Sequence, residues 1–346
     1  MEFEIKYDLR NPPAWRRPWE QHYSHFLDQV EWADRHGFDR VHLHEHHFAE
    51  DGYLPSPLVA AAALAARTKR IRISLNLIVL PLKHPVGVAE EIAVLDCLSG
   101  GRVEVVLGSG YRRAEYEGYG IPMRQRPGRM DEGVAIVKRC LEEEGPFDFE
   151  GRYWSLKGVR VMPRPVQRPR PRILLGGSTD AGAVRAARLG DGFTTPYPKL
   201  LEVWREEMKK LGKDPAGAGS LTGSSQGLPG SFLHLARDPA AAWRVIGPHA
   251  VWESNTYAEW ARERGNSPFR PVSHPDQLLE SGYGVLTPEE LVSQGRGLEA
   301  ERPGPHRFLF HPMMGGIPFE LGQECLELAV SEVMPAFRPA AAAAPA

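Results

Sequence analysis

The sequence predicts an α/β protein of the (β/α)8 TIM-barrel class, and three observations predict it. Strand-like and helix-like segments alternate at about 30-residue spacing, the rhythm of parallel βα units. The strand-like segments are nearly all apolar, as strands covered on both faces must be. The count reaches eight strands and about eight main helices, which favours a closed barrel over an open doubly wound sheet. The length of 346 residues suits a barrel enlarged by insertions at its C-terminal face.

Phe3–Leu9 alternates and reads as a strand. Trp19–Arg35 has helical spacing, with Phe26, Val30 and Ala33 on one face and Gly37 ending it. Arg40–His47 is strand-like, Pro57–Ala66 a short helix, and Ile71–Leu80 a buried strand rich in β-branched residues. Val86–Leu98 is a helix closed by Ser99-Gly100-Gly101, Val103–Leu107 a fourth strand, and Arg126–Glu144 a long amphipathic helix. The rhythm then breaks. Phe147–Trp154 reads as a hairpin turning at Glu150-Gly151, and Met162–Pro171 as an extended surface connection of alternating prolines and arginines. It resumes with strand Arg172–Leu175, helix Thr179–Leu189 stopped by Gly190, strand Gly192–Tyr197 and helix Lys199–Leu211. Gly212–Gly230 reads as a loop, Ser231–Leu235 as a seventh strand, and the stretch from about 262 to 305 as a polar excursion. Arg307–Phe310 is the eighth strand and Phe319–Val333 the closing helix. Residues 1–338 are therefore expected to form one barrel domain, with insertions at about 146–171 and 212–305, and 339–346 a disordered Ala/Pro tail.

Composition excludes several classes. Net charge is −2, from 42 basic and 44 acidic residues, so no nucleic-acid or anionic-membrane surface is expected. The purest apolar run, Leu58–Ala66, is too short to cross a bilayer, and MEFEIKYD lacks the apolar core of a signal peptide. Cys97, Cys140 and Cys325 are too scattered for a disulfide framework or a structural zinc site. Each falls in a helical segment, where a buried free thiol is expected. A cytoplasmic setting follows.

Active sites of this architecture form where strands end. The second strand ends His42-Leu43-His44-Glu45-His46-His47. If the strand continues, His42, His44 and His46 share one face, and Glu45 and His47 the other. So many titratable groups point to proton transfer, metal ligation or ligand hydrogen bonds. A catalytic metal needs further ligands from later strands. The fifth and sixth strand ends offer none, and only His311 follows the eighth, so no metal is expected. Asn76 is a polar residue in an apolar strand, suited to a planar ligand edge or to a core polar group. Gly108-Ser109-Gly110 permits close approach to the backbone but lacks the rest of a dinucleotide fingerprint. Gly176-Gly177-Ser178-Thr179-Asp180 directly precedes a helix, so it reads either as an anion site or as ordinary N-capping.

A wider set of segments occurs in one order: Glu45-His46-His47-Phe48; Pro55-Ser56-Pro57-Leu58; Ala65-Ala66-Arg67-Thr68; Val79-Leu80-Pro81 with His84-Pro85-Val86; Leu98-Ser99-Gly100-Gly101-Arg102; Gly108-Ser109-Gly110-Tyr111; Phe149-Glu150-Gly151-Arg152-Tyr153; Gly176-Gly177-Ser178; and Arg188-Leu189-Gly190-Asp191-Gly192. Together they resemble the bacterial-luciferase-like, flavin-dependent monooxygenase family, and His311-Pro312 with Gly315-Gly316 look similar to its C-terminal part. The resemblance implies the same barrel, usually dimeric. It implies reduced FMN from a separate flavin reductase, and O2 reacting at C4a to a hydroperoxide that oxygenates a small organic substrate. F420-dependent hydride transfer is the alternative on the same fold, and a non-catalytic flavin-binding protein a third. By position, His46 resembles the active-site histidine, with Glu45, His47 and His44 shaping the site. Asn76 sits where the family often makes a non-proline cis peptide under the flavin ring. Gly108, Ser109, Gly176, Gly177, Ser178 and Thr179 match cofactor-binding positions, the last three as a phosphate loop. Ser109 stands where an arginine often binds the phosphate, which leaves either Arg112 or Arg113 to substitute or the phosphate more weakly held.

Overall fold

The protein is described by a computed structural model covering residues 1–216, 219–262, 270–302 and 304–338. The expected tail at 339–346 lies outside the described residues. The strands are β1 (Glu2–Tyr7), β2 (Arg40–Leu43), β3 (Arg72–Val79), β4 (Val103–Gly108), β5 (Phe147–Glu150) and β6 (Ser155–Val159). They continue as β7 (Ile173–Gly176), β8 (Gly192–Thr195), β9 (Gly219–Leu221), β10 (Phe232–Leu235), β11 (Tyr283–Leu286) and β12 (Arg307–Phe310). The described residues form two compact units, one from 1–42, 50–53 and 223–338, the other from 43–49 and 54–222. Both are built of mostly parallel strands with helices between them, the α/β class expected.

In the first unit the strands run in the order β11-β10-β12-β1-β2. Parallel pairing sets Phe3 opposite Phe308 and Ile5 opposite Phe310, all four fully buried. Phe3 and Phe308 meet edge to face at 5.4 Å, an arrangement their ring quadrupoles favour. Glu4 is fully buried between them in sequence and accepts hydrogen bonds from Arg40 and from His42 Nε2, the latter at 2.8 Å. Burial pushes its carboxyl up, but His42, Arg307 and Arg40 outweigh it and hold it at about 2. The folded value lies below the unfolded one, so this stability is present above the ordinary glutamate range and lost as pH falls toward that value. Acid titration of Glu4→Gln should therefore show a flatter loss of stability below the ordinary glutamate range, the wild type losing about 3 kcal/mol there at most. Superimposable wild-type and variant curves would refute this.

In the second unit the order is β3-β4-β7-β8-β9, all parallel, and β5–β6 form the separate antiparallel hairpin expected at this point. Arg102 ties the helix Pro57–Arg67, the start of β3 and the helix Pro85–Ser99 together. It donates to the carbonyls of Ser99 (2.7 Å), Ile71 (2.8 Å), Thr68 (3.0 Å) and Ala65 (3.2 Å) and to Thr68 Oγ1 (2.9 Å). One guanidinium thus serves the helix-end carbonyls of Ala65, Thr68 and Ser99 and the Ile71 carbonyl that leads into β3. Arg102→Ala orphans them, and a loss of about 2–4 kcal/mol in urea unfolding is expected. A change near zero would show that water replaces the guanidinium.

The structure corrects four sequence expectations. β2 stops at Leu43, so His44–His47 lie in a loop and the two-face alternation does not hold for them. The His46 N–H goes to the Leu54 carbonyl, and Phe48 takes the left-handed φ of 55°, which turns the chain out of strand geometry. The Gly-rich stretch holds β9, whose Gly219 faces Phe193 of β8. The polar excursion holds β11 and the helix Pro288–Glu301, opened by a Thr287–Glu290 capping box. Cys97 is exposed, while Cys140 and Cys325 are buried and pushed up to about 11 and about 12 by that burial.

Candidate active site

The loop after β2 and the segment after β4 carry one buried network in the second unit. Glu115, in the short helix Arg113–Gly118, is fully buried. Its Oε1 accepts from His46 Nδ1 at 2.7 Å and from the His47 N–H at 3.0 Å, and Arg112 Nη1 lies 3.4 Å away. Burial alone would raise the Glu115 carboxyl. The His46 hydrogen bond and charge, the His47 amide and Arg112 outweigh it and lower it. An ionised carboxylate only accepts, so Nδ1 carries the proton and proton exchange at His46 falls to Nε2. The ring also meets Tyr111 edge to face at 5.3 Å.

A second carboxylate holds the next histidine. Glu45 Oε1 is 2.7 Å from His47 Nε2 and 3.1 Å from Lys83 Nζ, and Glu45 Oε2 accepts the Val79 N–H at 3.1 Å. Tyr119 Oη lies 3.2 Å from His47 Nδ1. The three buried imidazoles of this run thus have separate carboxylates, since His42 is bound to Glu4. His44 is half-buried.

β3 carries Asn76, whose peptide bond to Leu77 is cis, as the resemblance implies. A Cβ on Gly108 would stand 2.6 Å from Leu77 Cδ2, and one on Gly176 2.9 Å from the same atom. These glycines, at the ends of β4 and β7, therefore admit the Leu77 side chain. Ser109 offers its carbonyl to Tyr116 Oη at 2.5 Å. Arg112 is buried and donates to the His47 carbonyl at 2.6 Å, so it belongs to the histidine network, while Arg113 is exposed.

Both readings of the β7 loop leave a mark. Thr179 is the N-cap of the helix Asp180–Leu189, its Oγ1 accepting from the Gly182 N–H at 3.1 Å. The Gly177 N–H is spent on the Thr194 carbonyl at 3.2 Å. What remains for an anion is the head of the helix: the amides of Thr179, Asp180 and Ala181, which a helix's first turn leaves unbonded within it.

Sequence reasoning placed His46, His47 and Glu45 together, and the structure does bring them together. It missed Glu115, Tyr119 and Lys83. A polar run, Tyr111-Arg112-Arg113-Ala114-Glu115, follows the fourth strand and marks the right loop. Nothing in it singles out the carboxylate.

The family model described as luciferase-like monooxygenase matches residues 1–300. The chain belongs to that family. Protein y4wF of Sinorhizobium fredii is 35% identical over 90% of this luciferase-like chain and 91% of its own. The oxygenase component of a flavin-dependent trigonelline monooxygenase from Acinetobacter baylyi is 25% identical over 92% and 91%. Among solved structures, monooxygenase RslO1 from Streptomyces bottropensis superposes with a TM-score of 0.81 at 27% identity, covering 98% of this chain and 100% of that one. The oxygenating constituent of 3,6-diketocamphane monooxygenase from Pseudomonas putida, in complex with FMN, gives 0.75 at 19% identity, over 97% and 98%. An F420-dependent secondary alcohol dehydrogenase gives 0.71 at 20%, over 97% and 99%. The fold is thus shared by FMN-binding and F420-binding proteins. Among the described residues no helix is long and apolar enough to cross a membrane.

Proposed function

We propose that the protein is the oxygenase of an FMN-dependent monooxygenase acting on a small organic substrate. The observation that carries the reading is the His46–Glu115 pair: a buried imidazole whose Nδ1 proton is fixed at 2.7 Å on a carboxylate. Bound reduced FMN supplies the reaction with O2 at its C4a carbon and the transfer of oxygen. The chain supplies position, dryness and a proton. Asn76 and the ends of β4 and β7 support the ring, and Ser178, with the helix amides from Thr179 onward, holds the phosphate. His46 Nε2 exchanges the proton that the oxygen chemistry requires. Glu45, His47 and Lys83 keep the neighbouring loop in place.

The reading includes a separate flavin reductase, as the oxygenase component of the Acinetobacter relative suggests, and a cytoplasmic homodimer. Exposed Val59, Val94 and Leu98, on the two consecutive helices Pro57–Arg67 and Pro85–Ser99, support the dimer. Oxygen uptake separates the cofactors. Supplied with chemically reduced FMN and a candidate ketone, aldehyde or aromatic substrate, the protein should consume O2 and yield oxygenated product. Product formed only with reduced F420, without O2, would establish the hydride-transfer alternative on the same fold.

A further inference from the structure

A second buried cluster, in the first unit, has no part in the reading above. Asp8 follows β1, and His311 follows β12, which pairs with β1 through Phe310 and Ile5. Neighbouring strand ends bring carboxylate and imidazole together, with His311 Nε2 3.5 Å from Asp8 Oδ1. Glu253 joins them from the helix Pro239–Arg262. One ligand atom from each of the three residues lies within 4.8 Å of the others. The side chains are sealed from solvent, at 3% exposure for Asp8, 4% for Glu253 and 2% for His311. Among the described residues, Glu253 Oε2 and both ring nitrogens of His311 have no hydrogen-bond partner. Buried acceptors left in this state are costly.

Arg10 gives Nε to Asp51 Oδ2 at 2.5 Å. Its guanidinium lies 4.8–5.4 Å from the ring centroids of Tyr53, Trp252, Tyr257 and Trp260. That aromatic box and Asp51 stabilise the Arg10 charge. Three carboxylates, Asp8, Asp51 and Glu253, share the Arg10 guanidinium and the charge of Lys6, and burial beside Asp8 raises the Glu253 carboxyl, a crowding of like charge that a divalent cation relieves. Leu9, between Asp8 and Arg10, takes a left-handed φ of 55°, a backbone state that a non-glycine residue adopts only under constraint.

We propose that Asp8, Glu253 and His311 bind a first-row divalent cation of the zinc or manganese type. Mixed imidazole and carboxylate donors suit such ions, whereas calcium and magnesium favour oxygen alone. Bonds of about 2.1 Å place ligand atoms about 3.0–4.2 Å apart, so side-chain shifts of about an ångström close the site. An ion needs no exposed surface, which a larger organic ligand would. It would fasten the ends of β1 and β12 to the helix Pro239–Arg262. Strand ends alone do not reveal this set, because Glu253 comes from a helix.

The test uses the full chain without flavin, so it stands apart from the flavin reading. Chelator-stripped protein is dialysed against micromolar Zn2+ and bound metal is measured by elemental analysis. One ion per wild-type chain is expected, with affinity weakened at least about tenfold in Glu253→Gln and in His311→Asn. His274→Ala, which removes an exposed histidine beside Asp276, should leave the stoichiometry unchanged. Asp8→Asn keeps the side-chain shape and serves if either other variant fails to fold. No ion on the wild type, or binding that survives the ligand substitutions undiminished, overturns the proposal.

Discussion

His46→Ala is expected to lower turnover with reduced FMN and O2 by about 100- to 1,000-fold, the range for losing a positioned proton donor or acceptor. Flavin affinity should hardly change, because the phosphate and ring contacts proposed for the cofactor come from β3, β4, β7 and the helix after it. The check is paired: steady-state product formation and flavin titration on the same preparation. Oxygen consumed without product should rise relative to product formed, since reduced flavin still meets O2 while the proton is no longer delivered. Turnover at the wild-type level would remove His46 from the reaction.

Glu115→Gln is the second large effect and tests positioning. Glutamine keeps the shape and the acceptor oxygen but gives up the charge 2.7 Å from His46 Nδ1. It also admits a wrong orientation in which an amide N–H faces the ring. About a 10- to 100-fold fall in kcat is expected, with KM little altered, as for a residue acting through the imidazole. The lowered Glu115 carboxyl gives the sign of the pH effect. Its support of the imidazolium is present above the depressed value and lost as pH falls through it. Without that charge the limb of the pH–rate profile that reports the imidazole should move to lower pH. Glu115→Asp should recover part of the rate. A merely structural role predicts lower stability with an unmoved profile.

The parallel βα rhythm was legible because buried strands are written as apolar runs such as Ile71–Leu80, and helices end at signals such as Gly100 or Gly190. β9 and β11 were not legible. Gly219–Leu221 is only three residues long and half-buried, and Tyr283–Leu286 sits among polar neighbours. The capping box at Thr287 and Glu290 was a readable signal for the helix beyond it. At the site, the clustering of His46, His47 and Glu45 could be read because they are adjacent in sequence. Glu115 lies 69 residues from His46, and its pairing depends on how the loop after β4 folds back. The glycines carry a demand that the sequence could not show: a Cβ on Gly108 or on Gly176 would meet Leu77 Cδ2.

A crystal structure with FMN decides the cofactor's place. The phosphate is expected against the amides of Thr179 and Asp180, the ring along the ends of β3, β4 and β7, and C4a within reach of His46 Nε2. Density for the phosphate away from that helix start, or a ring whose C4a faces away from His46, would contradict this placement.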